Sequence, residues 1–246
     1  MSTIEKPINY NIHNNIKHSY TCSAPGAVLI LGEHSILHHH QAHVIAVNPT
    51  LHASITPNQS NLIKIQSKLG LYQISYPELQ ATPYQKLEQH FKYILASIKY
   101  LLSNNKSTLD SKKDQKKDQT NNLENGLEIC ITSDIPHNYG LGSSGAALSA
   151  TVASALFCLG KIEQKPNNQQ RQQILTTCTK ILTHLNPTHP GSGYDCAASI
   201  YGGFINYQND DPNNPIITQL LPNSPTSPNL LNPLPFEIIL AYCGYK

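Results

Sequence analysis

The sequence predicts an α+β fold, and three observations lead there. Short runs alternating apolar and polar residues fill the first part of the chain, longer runs at helical spacing fill much of the rest, and one strand-like run passes into a helix-like one through a turn of small residues. Strands followed by helices give a helix layer on an open sheet rather than an alternating parallel sheet.

The elements follow in chain order. Residues 1–18 form a polar arm rich in Asn and His, without periodicity. Ala27–Leu31, Val44–Val47, Leu51–Ile55, Leu62–Gln66 and Leu71–Ile74 read as strands, with turns at Asn48-Pro49 and Pro57-Asn58. Over Tyr84–Leu102, the residues Leu87, Phe91, Ile94, Leu95, Ile98 and Leu101 recur at three- and four-residue steps, the stripe of an amphipathic helix. Residues 103–122, centred on Lys112-Lys113-Asp114-Gln115-Lys116-Lys117-Asp118, carry too little apolar surface to pack and are expected to be a solvated, mobile insertion. Leu127–Ile131 alternates as a half-buried strand, and from Ser144 to Leu159 the chain is Ala, Leu, Val and Ser at helical spacing. Gln170–Leu185 reads as another helix, and Leu221–Pro235, with five prolines, as an irregular crossing. The expected organisation is the arm, one domain over residues 19–208, and residues 209–246 as a crossing segment plus the first strand of a second domain.

Composition narrows the function classes. Charged residues are 13% of the 246, and the net charge of +2, with no basic stripe interleaved with aromatics, argues against a nucleic-acid surface. No run of 18 apolar residues is present for a membrane span, and Met1-Ser2-Thr3-Ile4-Glu5-Lys6 is no signal peptide, so a cytoplasmic protein is expected. Cys22, Cys130, Cys158, Cys178, Cys196 and Cys243 show no C-x-x-C spacing and are expected to be reduced and buried. A homodimer is left open.

The turn between the strand at Leu127–Ile131 and the following helix is Ile135-Pro136-His137-Asn138-Tyr139-Gly140-Leu141-Gly142-Ser143-Ser144-Gly145. Gly140 and Gly142 allow positive φ, which aims successive N–H groups into one concavity, and the helix start adds unpaired donors and a positive dipole end. An anion such as phosphate fits there. The simpler reading is a helix cap, with Ser143 or Ser144 as the N-cap.

Two further segments accompany the loop: Ser23-Ala24-Pro25-Gly26-Ala27-Val28-Leu29-Ile30-Leu31-Gly32-Glu33-His34-Ser35 before it and Gly191-Ser192-Gly193-Tyr194-Asp195-Cys196-Ala197-Ala198-Ser199 after it. In this order the three segments resemble the GHMP family of small-molecule kinases. The first is most similar to the mevalonate kinase branch, while Gly191–Asp195 followed by Tyr201-Gly202-Gly203 also resembles phosphomevalonate kinases. The resemblance implies a ribosomal-protein-S5-domain-2-like N-terminal domain, a ferredoxin-like C-terminal domain of which Phe236–Lys246 would be the opening strand, and a chain that ends inside it.

It also implies ATP and Mg²⁺ as cofactors and a small hydroxy acid as acceptor. Pro136, Asn138, Gly140, Leu141, Gly142, Ser143, Ser144 and Gly145 would bind the phosphates, and the Ser144 hydroxyl would reach the metal. Asp195 would accept or orient the acceptor hydroxyl proton; Glu33, His34 and Gly193 would stand with it at the substrate end. The simpler reading of Asp195 is a cap on a helix over Cys196–Ile200. Residues 20–50 contain no Arg or Lys to meet a substrate phosphate, so mevalonate is expected to be preferred over its phosphate.

The chain departs from the family pattern at two positions. Ala27 stands where the resembling kinases carry a lysine, and His184 falls where they carry a magnesium-binding glutamate. A catalytically silent nucleotide-binding protein and a gene fragment therefore stay open beside the kinase. His34, His38, His39, His40 and His43 cluster in sequence, but on an extended segment they would point to alternating faces without a carboxylate to complete a metal site, which favours a solvated loop.

Overall fold

The computed structural model describes residues 19–105, 126–136, 139–211 and 215–221. The calls on the N-terminal arm, on residues 106–122 of the insertion, on residues 222–246 and on Asn138 lie outside the described residues.

One strand organises the sheet. β2, Ala42–Pro57, runs antiparallel to β1, Tyr20–Leu31, along nearly its whole length. Its Leu51–Pro57 part pairs with β5, Leu127–Ser133, and its Ala42–Ile45 part with β6, Phe204–Gln208. β3, Leu62–Ser67, and β4, Gly70–Ser75, form a hairpin whose inner strand lies parallel to β5, and β7, Ile216–Leu221, pairs with β6. The order is β4-β3-β5-β2-β6-β7, with β1 pairing β2, and the layered α+β arrangement is the predicted one.

Asn48-Pro49 is not the predicted turn but a bulge inside β2, where Pro25 pairs with Thr50 and Gly26 with Val47. Proline has no N–H for the ladder, and a bulge is where a strand tolerates it. The inward-facing set changes phase there, from Ala42 and Val44 to Leu51, Ala53 and Ile55. β6 and β7 were not anticipated, although Ile205 and Tyr207 of β6 are fully buried in strand alternation.

The first helix, α1 at Tyr76–Ala81, was also not anticipated. Ser75 caps it by accepting the Glu78 N–H at 3.3 Å, and Pro77 lies in its first turn. The single helix expected over Tyr84–Leu102 is instead a 3₁₀ turn at Tyr84–Lys86 followed by α2, Lys92–Asn105, so residues 103–105 are helical rather than part of the insertion. The Glu88 carboxylate accepts the Phe91 N–H at 2.9 Å and starts the new helix. Lys99 of α2, only 7% exposed, donates to the carbonyls of Leu79, Gln80 and Thr82 at 3.0, 2.7 and 2.6 Å, tying α2 to the end of α1.

Helix α3, Ser143–Cys158, is buried on nearly every side, as a run rich in alanine must be when it lies between a sheet and other helices. Ser154 bridges it to both central strands, accepting the Cys22 N–H at 3.0 Å and donating to the Ala53 carbonyl at 2.7 Å. α4, Asn168–Leu185, opens on a reciprocal cap between Asn167 and Gln170, and α5, Tyr194–Tyr201, joins β1 through the Ser199 hydroxyl on the Pro25 carbonyl at 2.7 Å. Cys158, Cys178 and Cys196 are buried as expected, but Cys22 is half-buried and Cys130 is exposed on β5. Among the described residues no helix is long and apolar enough to cross a membrane.

Candidate active site

The turn after β5 has the predicted backbone. Gly140 and Gly142 hold φ of 71° and 67°, and the N-cap of α3 is Gly142 itself, not Ser143 or Ser144, because a left-handed residue at that point turns the chain directly into the helix. The first helical bond runs from the Ala146 N–H to the Gly142 carbonyl at 3.0 Å. The N–H groups of Ser143, Ser144 and Gly145 therefore have no helical acceptor, and the first turn holds no acidic side chain.

β1 fixes this turn in place. The Ala27 N–H donates to the Leu141 carbonyl at 3.0 Å, and a Cβ on Gly26 would lie 2.5 Å from that same oxygen. A Cβ on Gly142 would lie 3.0 Å from the Ala27 nitrogen and 3.2 Å from its methyl. Gly26 and Gly142 thus let strand and loop touch, and Ala27, 3% exposed, is closed in beneath the loop.

Asp195 arrives from the other side. Gly193, with φ of 82°, is the N-cap of α5, so Asp195 lies within the first turn rather than capping it, and its Oδ1 accepts the Cys196 N–H at 2.9 Å. Asp195 is half-buried, and its carboxylate packs against Gly145, whose added Cβ would stand 2.5 Å from Asp195 Oδ2. Burial holds its pKa above the usual carboxylate range, opposed by hydrogen bonds from its own N–H and that of Cys196. The loop ahead of it is gripped from β6: the buried Tyr207 hydroxyl donates to the Ser192 carbonyl at 2.6 Å, and Asn209 Nδ2 donates to the same oxygen at 3.1 Å.

Two cavities flank α3. The smaller, about 210 Å³, is walled by Gly145, Leu148, Leu182, Gly193, Tyr194 and Asp195. The larger, about 790 Å³, is bounded by Lys68, His90, Phe91, Asp134, Pro136 and Ser143. Tyr93 and Ser144 line both.

Of the residues singled out from sequence, Gly193, Asp195, Ser144 and Gly145 line the smaller cavity, and Pro136, Ser143 and Ser144 the larger. Gly140 is exposed and Leu141 half-buried, and neither lines either cavity. Glu33 and His34 are exposed and line neither; the Glu33 charge reaches Tyr194, whose pKa is raised by burial first and then by Asp195 and Glu33. His34 to His40 are not an extended segment but a 3₁₀ turn at Ser35–His38 closed by His39 at φ of 63°, since the chain must reverse between β1 and β2; the solvated-loop reading holds for His38, His39 and His40, all exposed. Among the described residues no group of three His, Cys, Asp or Glu is placed to hold a metal. His184 stacks on Tyr84, ring centroids 5.0 Å apart.

Sequence reasoning missed Tyr93 and Tyr194. Tyr194 sits inside the Gly191–Ser199 segment, whereas Tyr93 is off the apolar stripe of its helix and carries no local signal. Burial raises the Tyr93 pKa, the Asp195 charge adds to that, and the Ser144 hydroxyl opposes it.

Residues 105–203 match the GHMP kinases N terminal domain. Superposition on the crystal structure of the Methanococcus jannaschii mevalonate kinase gives a TM-score of 0.63 at 19% identity, covering 83% of this chain and 56% of that one. The chain has the GHMP kinase fold. By sequence, this GHMP-fold chain is 26% identical over 193 residues to the mevalonate kinase of Thermococcus sibiricus, covering 76% of this chain and 50% of the relative. A phosphomevalonate kinase of Streptomyces sp. is 45% identical over a shorter stretch of 74 residues, 30% of this chain and 17% of the relative. The chain thus spans about half the length of the mevalonate kinases it matches.

Proposed function

We propose that this chain serves ATP- and Mg²⁺-dependent phosphoryl transfer to the hydroxyl of a small hydroxy acid, mevalonate foremost. The observation that carries the reading is that two cavities share Ser144 in their walls, with helix-start N–H groups that lack a helical acceptor on one side and Asp195 on the other.

The nucleotide suits the larger cavity, with its phosphates on the N–H groups of Ser143, Ser144 and Gly145. Hard oxygen donors suit Mg²⁺, and Ser144 with the phosphate oxygens supplies them; the bound ion would neutralise phosphate charge. The acceptor alcohol suits the smaller cavity, its hydroxyl toward Asp195. Its oxygen attacks the γ-phosphorus, the bond to the bridging oxygen breaks, the electron pair leaves on ADP, and the hydroxyl proton passes to Asp195. A carboxylate whose pKa is raised by burial is the stronger base for that step.

Phosphomevalonate as acceptor is the second reading, favoured by the stretch of 45% identity to a phosphomevalonate kinase. The absence of Arg and Lys from residues 20–50 supports mevalonate. A coupled ADP-release assay on the purified protein compares the two acceptors. Higher kcat/KM on mevalonate supports the proposal, equal or higher kcat/KM on phosphomevalonate reverses the acceptor, and no Mg·ATP binding by calorimetry removes the kinase reading.

A further inference from the structure

Tyr93 comes from α2, an element to which none of the three sequence segments belongs, yet its side chain forms part of the wall between the two cavities. Among the described residues, the only other one shared by both walls is Ser144, at the start of α3. With a nucleotide in one cavity and an acceptor in the other, these two residues would stand beside both.

The surroundings define what a hydroxyl can do there. The Lys92 ammonium lies 5.2 Å from the Tyr93 ring centroid and holds the ring by cation–π attraction. Ala27 offers no side-chain donor beneath the loop. Tyr93, Ser144 and Asp195 line one cavity, and the Asp195 charge and the Ser144 hydroxyl both bear on the Tyr93 phenol.

We infer that the Tyr93 hydroxyl donates a hydrogen bond to the terminal phosphoryl group of the bound nucleoside triphosphate. The inference rests on the kinase reading and adds a residue to it. The tyrosine gives up no proton; it holds the phosphoryl oxygen while the P–O bond to ADP breaks and the bond to the acceptor oxygen forms. Because the contact is with the γ-phosphoryl group alone, it separates nucleoside triphosphate from diphosphate.

Calorimetry with Mg²⁺ and either ADP or a non-hydrolysable ATP analogue tests this on the full chain, wild type against Tyr93→Phe, which keeps the ring. The expected result is a five- to tenfold loss of affinity for the triphosphate analogue with ADP affinity held within about twofold, a loss matching one hydrogen bond to a charged acceptor. An unchanged ratio of the two affinities overturns the inference, and so does an equal loss of both, which would make Tyr93 a packing residue. Failure of the wild-type protein to bind either nucleotide would instead overturn the kinase reading, so the two failures are distinct.

Discussion

A Cβ atom on Gly145 would stand 2.5 Å from the carboxylate carbon and Oδ2 of Asp195, so the first turns of α3 and α5 meet at a point where only a hydrogen atom fits. The start of α3 and the Asp195 carboxylate are thereby placed in register by the absence of a side chain.

Gly145→Ala is expected to push the Asp195 side chain out of position. Overpacking of this kind costs about 1–3 kcal/mol in stability, and misplacing a reacting group by an ångström can cost on the order of a hundredfold in rate. Thermal melting and acceptor turnover measured together check it; wild-type turnover in a folded variant would show that Asp195 has room to move.

Asp195→Asn should stabilise the protein at neutral pH while abolishing turnover. The folded pKa of Asp195 is raised by burial, so its contribution to stability is fully present below the unfolded value, near 4, and is lost as pH rises through the folded value. Asparagine keeps an acceptor for the Cys196 N–H and carries no charge at any pH. The variant is expected to melt higher at pH 7, by roughly 2–4 °C per kcal/mol relieved, with the gain shrinking as pH falls toward 4. Melting curves across pH decide it: a gain that grows on acidification has the wrong sign.

Gly26→Ala tests the seat of the phosphate turn. The new methyl would lie 2.5 Å from the Leu141 carbonyl, and the Ala27 N–H bond to that oxygen would have to lengthen. Nucleotide affinity is expected to fall about tenfold, equivalent to about 1.4 kcal/mol. Unchanged ADP affinity by calorimetry would mean that the turn adjusts at no cost.

Lys99→Met is expected to cost about 2–4 kcal/mol, because three carbonyls at the end of α1 lose a charged donor while the aliphatic stem is retained. Urea unfolding measures the loss. Nucleotide affinity should survive in the folded fraction, since Lys99 lines neither cavity.

The layers, the long helices and the positive-φ glycines of the turn were legible because each rests on a local pattern: alternation, a stripe, or a Gly-x-Gly between strand and helix. Ser75 followed by Glu78 is an equally local start signal for α1. The bulge at Asn48-Pro49 was not readable, since Asn-Pro marks a turn unless a partner strand holds the chain extended on both sides, and that partner is β1. Tyr93 was hidden for a related reason: nothing near it in sequence distinguishes it from a surface tyrosine, and its place between the cavities comes from α2 packing on α3.

The pairing of Ala42–Ile45 with Phe204–Tyr207 sets a timetable for biosynthesis. The β1–β2 ribbon can form early, but one end of β2 keeps an open edge until β6 has left the ribosome, and at 5–20 residues per second that delay is roughly 10–30 seconds. During that interval Ala42 and Val44, fully buried in the finished protein, lie on a hairpin still lacking its neighbour. The nascent chain is therefore most exposed to misassociation, and most dependent on chaperone cover, over the long stretch of translation between these two strands.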